Sequence, residues 1–285
     1  MGVWVEQDLI VGDEFRDGNV PGNKDPLTSV QRIFAALPAW VEKRYFRGDS
    51  ADYYEPLLKY LAKEEISFSI SADMSPELRT RCEAVPAAAW IELSVRDREI
   101  VHVAEVEFTP GEWAKTATPL RYVALRFTPV QGELFAERGL KYLAVVTNRP
   151  APADPAHPRA DEMSAAALVQ WHWEKAGTIE HVHRSMKDEL GAGVLPSQRF
   201  GANAAWFRIN AITYNVLTFL KRRALPPRLR DARPKRLRYE LFTIAARLTL
   251  HQSQLAANLA TSAVRAEELV LARQRLLETY EAAAQ

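Results

Sequence analysis

The chain has 285 residues, 47% of them hydrophobic, enough for a substantial core in one large domain or two smaller ones. A net charge of +1 argues neither for nor against nucleic acid, so where the charges sit matters more than their sum. The single cysteine, Cys82, excludes an internal disulfide and suits a reducing cytosol; no apolar run reaches the roughly eighteen residues of a membrane span, and MGVWVEQDL lacks the pattern of a secretory signal.

Val3–Val5 and Leu9–Phe15 are β-branched and aromatic runs around Glu6-Gln7-Asp8 and predict a strand pair with a short turn. Thr28 or Ser29 can cap a short helix that ends before Pro38. Trp40–Phe46 reads as a central strand running into Arg47-Gly48-Asp49-Ser50, followed by a helix over Tyr53–Lys63 and a strand over Ser67–Ser71. This order is mixed α/β. Asp49 then falls just past the C-terminal end of a strand, where α/β sheets commonly carry ligand-binding groups, although it can equally cap the element that follows.

From about residue 74 to 148 the period becomes two. Trp90–Val95, Glu99–Phe108, Leu120–Phe127 and Tyr142–Thr147 predict strands of a β-rich insertion, with Arg96-Asp97-Arg98 as one turn. The proline-rich RPAPADPAHP, 149–158, excludes helix and strand alike. Helices are expected over 164–190, 201–223 and 239–282. The domains expected are 1–73 and 149–220 as two parts of a core, 74–148 as the insertion, and 221–285 as a basic linker with a helical end.

The helix around WHWEKAGTIEHVHRSMKDELG, 171–191, has an apolar stripe of Ile179, Val182, Met186 and Leu190. Seven residues is nearly two turns, so Trp173, Glu180 and Lys187 share a second stripe. Glu180 and Arg184 also form an ordinary four-apart pair, which fits a plain solvated face. His181 and His183 diverge by about 200° and do not make a metal pair. KRRALPPRLRDARPKRLR, 221–238, holds nine basic residues and one acid. It is either a solvated linker or a phosphate-binding patch in which Arg233, Lys235, Arg236 and Arg238 release DNA counterions. Asp49 after a strand and Glu180 on a late helix suggest a divalent-metal site, because hard carboxylate oxygens suit Mg²⁺ or Mn²⁺.

With these residues the chain resembles bacterial insertion-sequence transposases of the DDE type, which have a ribonuclease-H-like core and a β-strand insertion before their Glu. Their signature is Tyr, two residues, Arg, three residues, Glu, six residues, Lys. Glu180 and Lys187 match it, Trp173 takes the Tyr position, and Ala176 departs from the Arg. EFRDGNVPG at 14–22, RGDS at 47–50 and the stretch from Lys187 to Asn215 look similar as well.

The resemblance implies an α/β fold with a ribonuclease-H-like core, a β-rich insertion and a helical C-terminal region. It makes Asp49 and Glu180 the second and third metal-binding carboxylates, for Mg²⁺ or Mn²⁺. Lys187 would contact DNA backbone, Trp173 the terminal nucleotide, and Arg184, Arg199 and Arg208 phosphates. Trp90 and Trp113 either stack on a flipped base or pack within the sheet. The partners implied are double-stranded transposon ends and target DNA, with a homodimer in the DNA complex and no membrane. The family's first Asp lies upstream of the segment aligned with Val3–Glu6, so the core is expected to be incomplete at its N-terminus. Asp8 and Asp13 are the early acids of the right type. The expectation is a transposase that cuts and joins DNA by metal-assisted phosphoryl transfer but is inactive as this chain. The alternative is a non-catalytic DNA-binding or dimerising fragment that regulates a full-length transposase.

Overall fold

The computed structural model describes residues 1–285 apart from 22–23, 97–98, 112–119, 131–139, 252–253 and 285. The expected turn at 96–98 and Trp113 therefore lie wholly or partly outside the described residues. In chain order the elements are β1 (Gly2–Trp4), β2 (Leu9–Gly12), α1 (Pro26–Ala35), β3 (Tyr45–Gly48), α2 (Glu55–Lys63), β4 (Ser67–Ala72), α3 (Pro76–Glu83), β5 (Ile91–Arg96) and β6 (Glu99–Val106). There follow β7 (Arg121–Pro129), β8 (Lys141–Thr147), α4 (Ala165–Arg184), α5 (Phe200–Arg223), α6 (Pro234–Leu237), β9 (Ala246–His251), β10 (Gln254–Leu259) and α7 (Ala263–Ala284). The fold is mixed α/β, and the chain forms two compact units: Gly18–Thr178, and Met1–Asp17 with Ile179–Gln285.

The first unit is built on a six-stranded sheet in the order β3-β4-β8-β7-β6-β5. Only β3 and β4 are parallel, joined through α2; the other neighbours are antiparallel. The strands expected within 74–148 extend the β3–β4 pair into one sheet. The strand before Asp49 is shorter than expected and lies at the edge of the described sheet, not at its centre.

Alternation along each strand sorts the two faces. In β4, Phe68, Ile70 and Ala72 join Leu57, Leu58 and Leu61 of α2 and Leu78 and Cys82 of α3 in one core. Cys82 is fully buried there, and burial pushes its thiol up to about 11. On the other face, Val101, Val103, Val123, Leu125 and Val145 meet Ala165, Leu168 and Val169 of α4. Ser69 and Ser71 of β4 point to this second face, where both bond His172 of α4. Asp25, rather than Thr28 or Ser29, caps α1, by accepting from the Thr28 N–H.

In the second unit the expected first strand pair forms as the antiparallel β1–β2 hairpin. Asn215 of α5 grips it, its amide oxygen accepting from Ile10 N–H and its amide nitrogen donating to Ile10 O, both at 2.8 Å. Val182 and Met186 are buried beside Ile10, Ala211 and Tyr214, with Leu190 partly buried, so the predicted apolar stripe is a core face. The helix changes after Arg184 into a wider turn over Ser185–Glu189 and stops at Gly191, whose φ of +86° suits glycine. The expected helix over 239–282 is the main departure. Ala246–His251 and Gln254–Leu259 pair antiparallel, and among the described residues of that span helix is confined to a wide turn at Arg238–Phe242 and to Ala263–Ala284. Arg247-Leu248-Thr249-Leu250-His251 alternates with period two, a pattern hidden by the alanine- and leucine-rich composition around it.

Candidate functional site

The C-terminal end of β3 turns sharply at Gly48 into a 3₁₀ turn, Ser50–Asp52. Asp49 caps this turn: its carboxylate accepts from Ala51 N–H at 2.9 Å, and its carbonyl accepts from Asp52 N–H at 3.1 Å. The carboxylate of Asp49 is exposed. The capping role and a ligand role coexist, because one hydrogen bond leaves acceptor capacity on a carboxylate.

Asp52 folds back over Gly48. A Cβ at position 48 would sit 2.5 Å from Asp52 Oδ2 and 2.9 Å from Asp52 Cβ, so only glycine fits. Burial, and then the negative charge of Asp49, push the Asp52 carboxyl up to about 6, against the pull of Lys175.

Lys175 reaches this turn from α4. Its ammonium donates to Gly48 O at 2.6 Å and Ser71 Oγ at 3.2 Å, and lies 2.9 Å from His172 Nε2. Burial brings Lys175 down to about 8, opposed by Asp49 and Asp52. His172 is 3% exposed, and burial followed by the Lys175 charge holds its imidazole down at about 3. His172 is therefore neutral. Its Nε2 accepts from Lys175, which leaves the proton on Nδ1 to donate to Ser69 Oγ at 2.8 Å. Alongside, Arg47 donates to Trp171 O at 2.7 Å and pairs with Glu174 at 2.8 Å.

The remaining α4 residues are disposed differently. Trp173 is half-buried and packs against the Val101–Leu125 core. Glu180 is exposed, as are Arg184 and Lys187. The seven-residue register holds from Trp173 to Glu180 within the regular helix, but the wide turn after Arg184 breaks it before Lys187. Asp49 belongs to the first unit and Glu180 to the second.

The basic stretch is less free than its composition suggested. Arg233 pairs with Glu189, Arg236 with Glu240, and Arg228 bridges Glu240 and Glu268. Arg238 donates to Glu189 O, and Lys221 lies 3.7 Å from Asp8. Arg223, Arg230 and Lys235 are exposed and make no ion pair among the described residues, and the same holds for Arg184, Lys187 and Arg199. Arg208 pairs with Asp13 at 3.1 Å. Asp8 accepts from Tyr214 Oη at 2.6 Å. Both early acids are thus engaged in the second unit's own framework. Trp90 is buried in the first core beneath the Arg126 guanidinium, 4.5 Å from its ring centroid; packing, not base stacking, accounts for it.

A hard divalent ion needs several oxygen donors. Asp49 offers an exposed carboxylate of the right chemistry, but among the described residues no group of three His, Cys, Asp or Glu side chains is placed to hold a metal. Among the described residues Asp49 and Glu180 each offer a single exposed carboxylate ligand. Sequence reasoning missed Asp52, His172, Ser69 and Ser71. The Ser-Phe-Ser-Ile-Ser alternation and the three-residue step from His172 to Lys175 carried that information, since they put both hydroxyls and both helix side chains on facing surfaces.

Residues 2–280 match the family model described as transposase DDE domain group 1. No curated protein matches the chain.

Proposed function

The chain belongs to this transposase DDE-domain family, and on that footing we propose that it cuts and joins DNA by metal-assisted phosphoryl transfer. DNA as substrate follows from the family. In our reading the first unit is ribonuclease-H-like, Asp49 and Glu180 hold Mg²⁺ or Mn²⁺, and the Glu180 helix carries the Tyr-Arg-Glu-Lys type of signature. The observation that carries the reading is the exposed Asp49 carboxylate just past the C-terminal end of β3, in a turn anchored from behind by the part-buried Lys175 ammonium. The ion, when bound, would polarise a phosphodiester oxygen. Lys187, Arg184, Arg199, Arg223, Arg230 and Lys235 would take backbone phosphates, contacts that position DNA without reading its sequence. Arg208, Arg233 and Arg236 would contribute less, because each is paired with a carboxylate; Arg238, bonded to a backbone carbonyl, would keep its charge for phosphate. Two copies would hold two element ends on cytoplasmic DNA.

The test is strand cleavage and joining on duplexes carrying the element's ends, with Mg²⁺ or Mn²⁺. Asp49→Asn and Glu180→Gln should each abolish product while leaving salt-dependent DNA binding intact. Cleavage that survives either substitution refutes the assignment. The lack of a three-acid cluster among the described residues favours a second reading, a DNA-binding relative that regulates an active transposase. Binding without cleavage by the unaltered chain would select it.

A further inference from the structure

We propose that Lys175 is a positioning residue that fixes the Gly48–Asp52 turn and thereby presents the Asp49 carboxylate; this rests on the reading of Asp49 as functional. An ammonium has three protons, and here three acceptors surround it: Gly48 O, Ser71 Oγ and His172 Nε2. None of the three is a carboxylate. Lys175 ties the last carbonyl of β3 to β4 and to α4 at one point.

The supports of that point are themselves fixed. Ser71 belongs to β4, whose opposite face is core, so the residue cannot leave this face without unpacking Phe68, Ile70 and Ala72. His172 is held through Nδ1 by Ser69, which is fully buried. Gly48 cannot retreat on its other side, where Asp52 touches it. The turn is therefore clamped between a charged donor and a packed side chain. Loss of the donor leaves the Gly48 carbonyl and the imidazole without that partner and frees the cap on which Asp49 sits.

The test uses Lys175→Met, Lys175→Arg and Lys175→Cys in the full chain, the last before and after aminoethylation with 2-bromoethylamine. Aminoethylation rebuilds an ammonium of nearly lysine length. Cys82, the chain's other thiol in that variant, is buried and resists alkylation. Hydrogen exchange reads the turn directly. Lys175→Met should speed exchange of the Ala51, Asp52 and Tyr53 amides by about tenfold or more, with β6 and β7 unchanged. Strand cleavage should fall about a hundredfold at unaltered DNA affinity. Aminoethylated Lys175→Cys should recover both, and Lys175→Arg, whose planar fork cannot reproduce three tetrahedral donors, should recover neither fully.

Unchanged exchange at 51–53 in Lys175→Met overturns the inference. So does faster exchange with cleavage unchanged, or failure of aminoethylation to rescue. If Asp49→Asn still cleaves while Lys175→Met loosens the turn, the fault lies in the Asp49 assignment and not in the clamp. A chain without cleavage activity is judged on exchange and rescue alone.

Discussion

Replacing Gly48 with alanine tests how tightly the turn is built. The new methyl would lie 2.5 Å from Asp52 Oδ2, 3.0 Å from Asp52 Cγ and 2.9 Å from Asp52 Cβ. Ordinary contact begins near 3.4 Å, so the carboxylate oxygen must move by about 0.9 Å. Rotating the Asp52 side chain can relieve the clashes with Oδ2 and Cγ, but Cβ is fixed by the backbone. The 3₁₀ turn, or the end of β3, has to shift as well. Overpacking of this kind costs about 1–3 kcal/mol, and the backbone involvement places Gly48→Ala in the upper part, about 2–3 kcal/mol. For a unit of this size that is a fall in melting temperature of about 4–12 °C. Urea denaturation of Gly48→Ala, Asp52→Gly and the double variant provides the assay. In the double variant the methyl meets no side chain, so most of the cost should vanish as a coupling between the two sites. A cost below about 0.5 kcal/mol, the usual range of a surface substitution, or strict additivity in the cycle, would refute the clamped turn.

Three further outcomes are expected. The buried imidazole of His172 is held at about 3 in the fold against 6.5 in the unfolded chain, so unfolding takes up a proton and stability falls as pH drops from about 6.5 toward 3. His172→Gln should flatten that acid limb in pH-dependent urea melts; an unchanged limb would mean other groups govern it. Asp52 runs the opposite way, since a carboxyl raised from 3.8 to about 6 withdraws stability as pH climbs between those values, and Asp52→Asn should gain on the unaltered chain from pH 4 to 7. In DNA binding, Arg230→Ala and Lys235→Ala should each lower the slope of log affinity against log salt by about 0.9. Arg233→Ala, whose charge is paired with Glu189, should leave the slope nearly unchanged and lower stability instead; equal slopes for all three would remove the distinction drawn between free and paired cations.

Much of the architecture was written in local pattern. Period-two alternation located β4 and β6 to β8 to within about two residues, because each strand divides its side chains between two cores and the sequence must record that division. The apolar stripe of Val182, Met186 and Leu190 was legible for the same reason at helical period. Asp49 could be placed at a strand end from Arg47-Gly48-Asp49-Ser50 alone. What the sequence did not determine was partnership. That β5–β8 extend the β3–β4 pair, that β3 lies at an edge, and that Arg233 and Arg236 find Glu189 and Glu240 depend on segments distant in the chain or on turns with no local code. Residues 246–259 misled because alanine and leucine favour helix in isolation, while strand pairing is a long-range choice. Lys175 marks the same boundary. Its position on the helix was plain, but only the tertiary structure turned it inward, since burying an ammonium requires acceptors from β3, β4 and α4 to converge on one point, and no stretch of sequence contains them all.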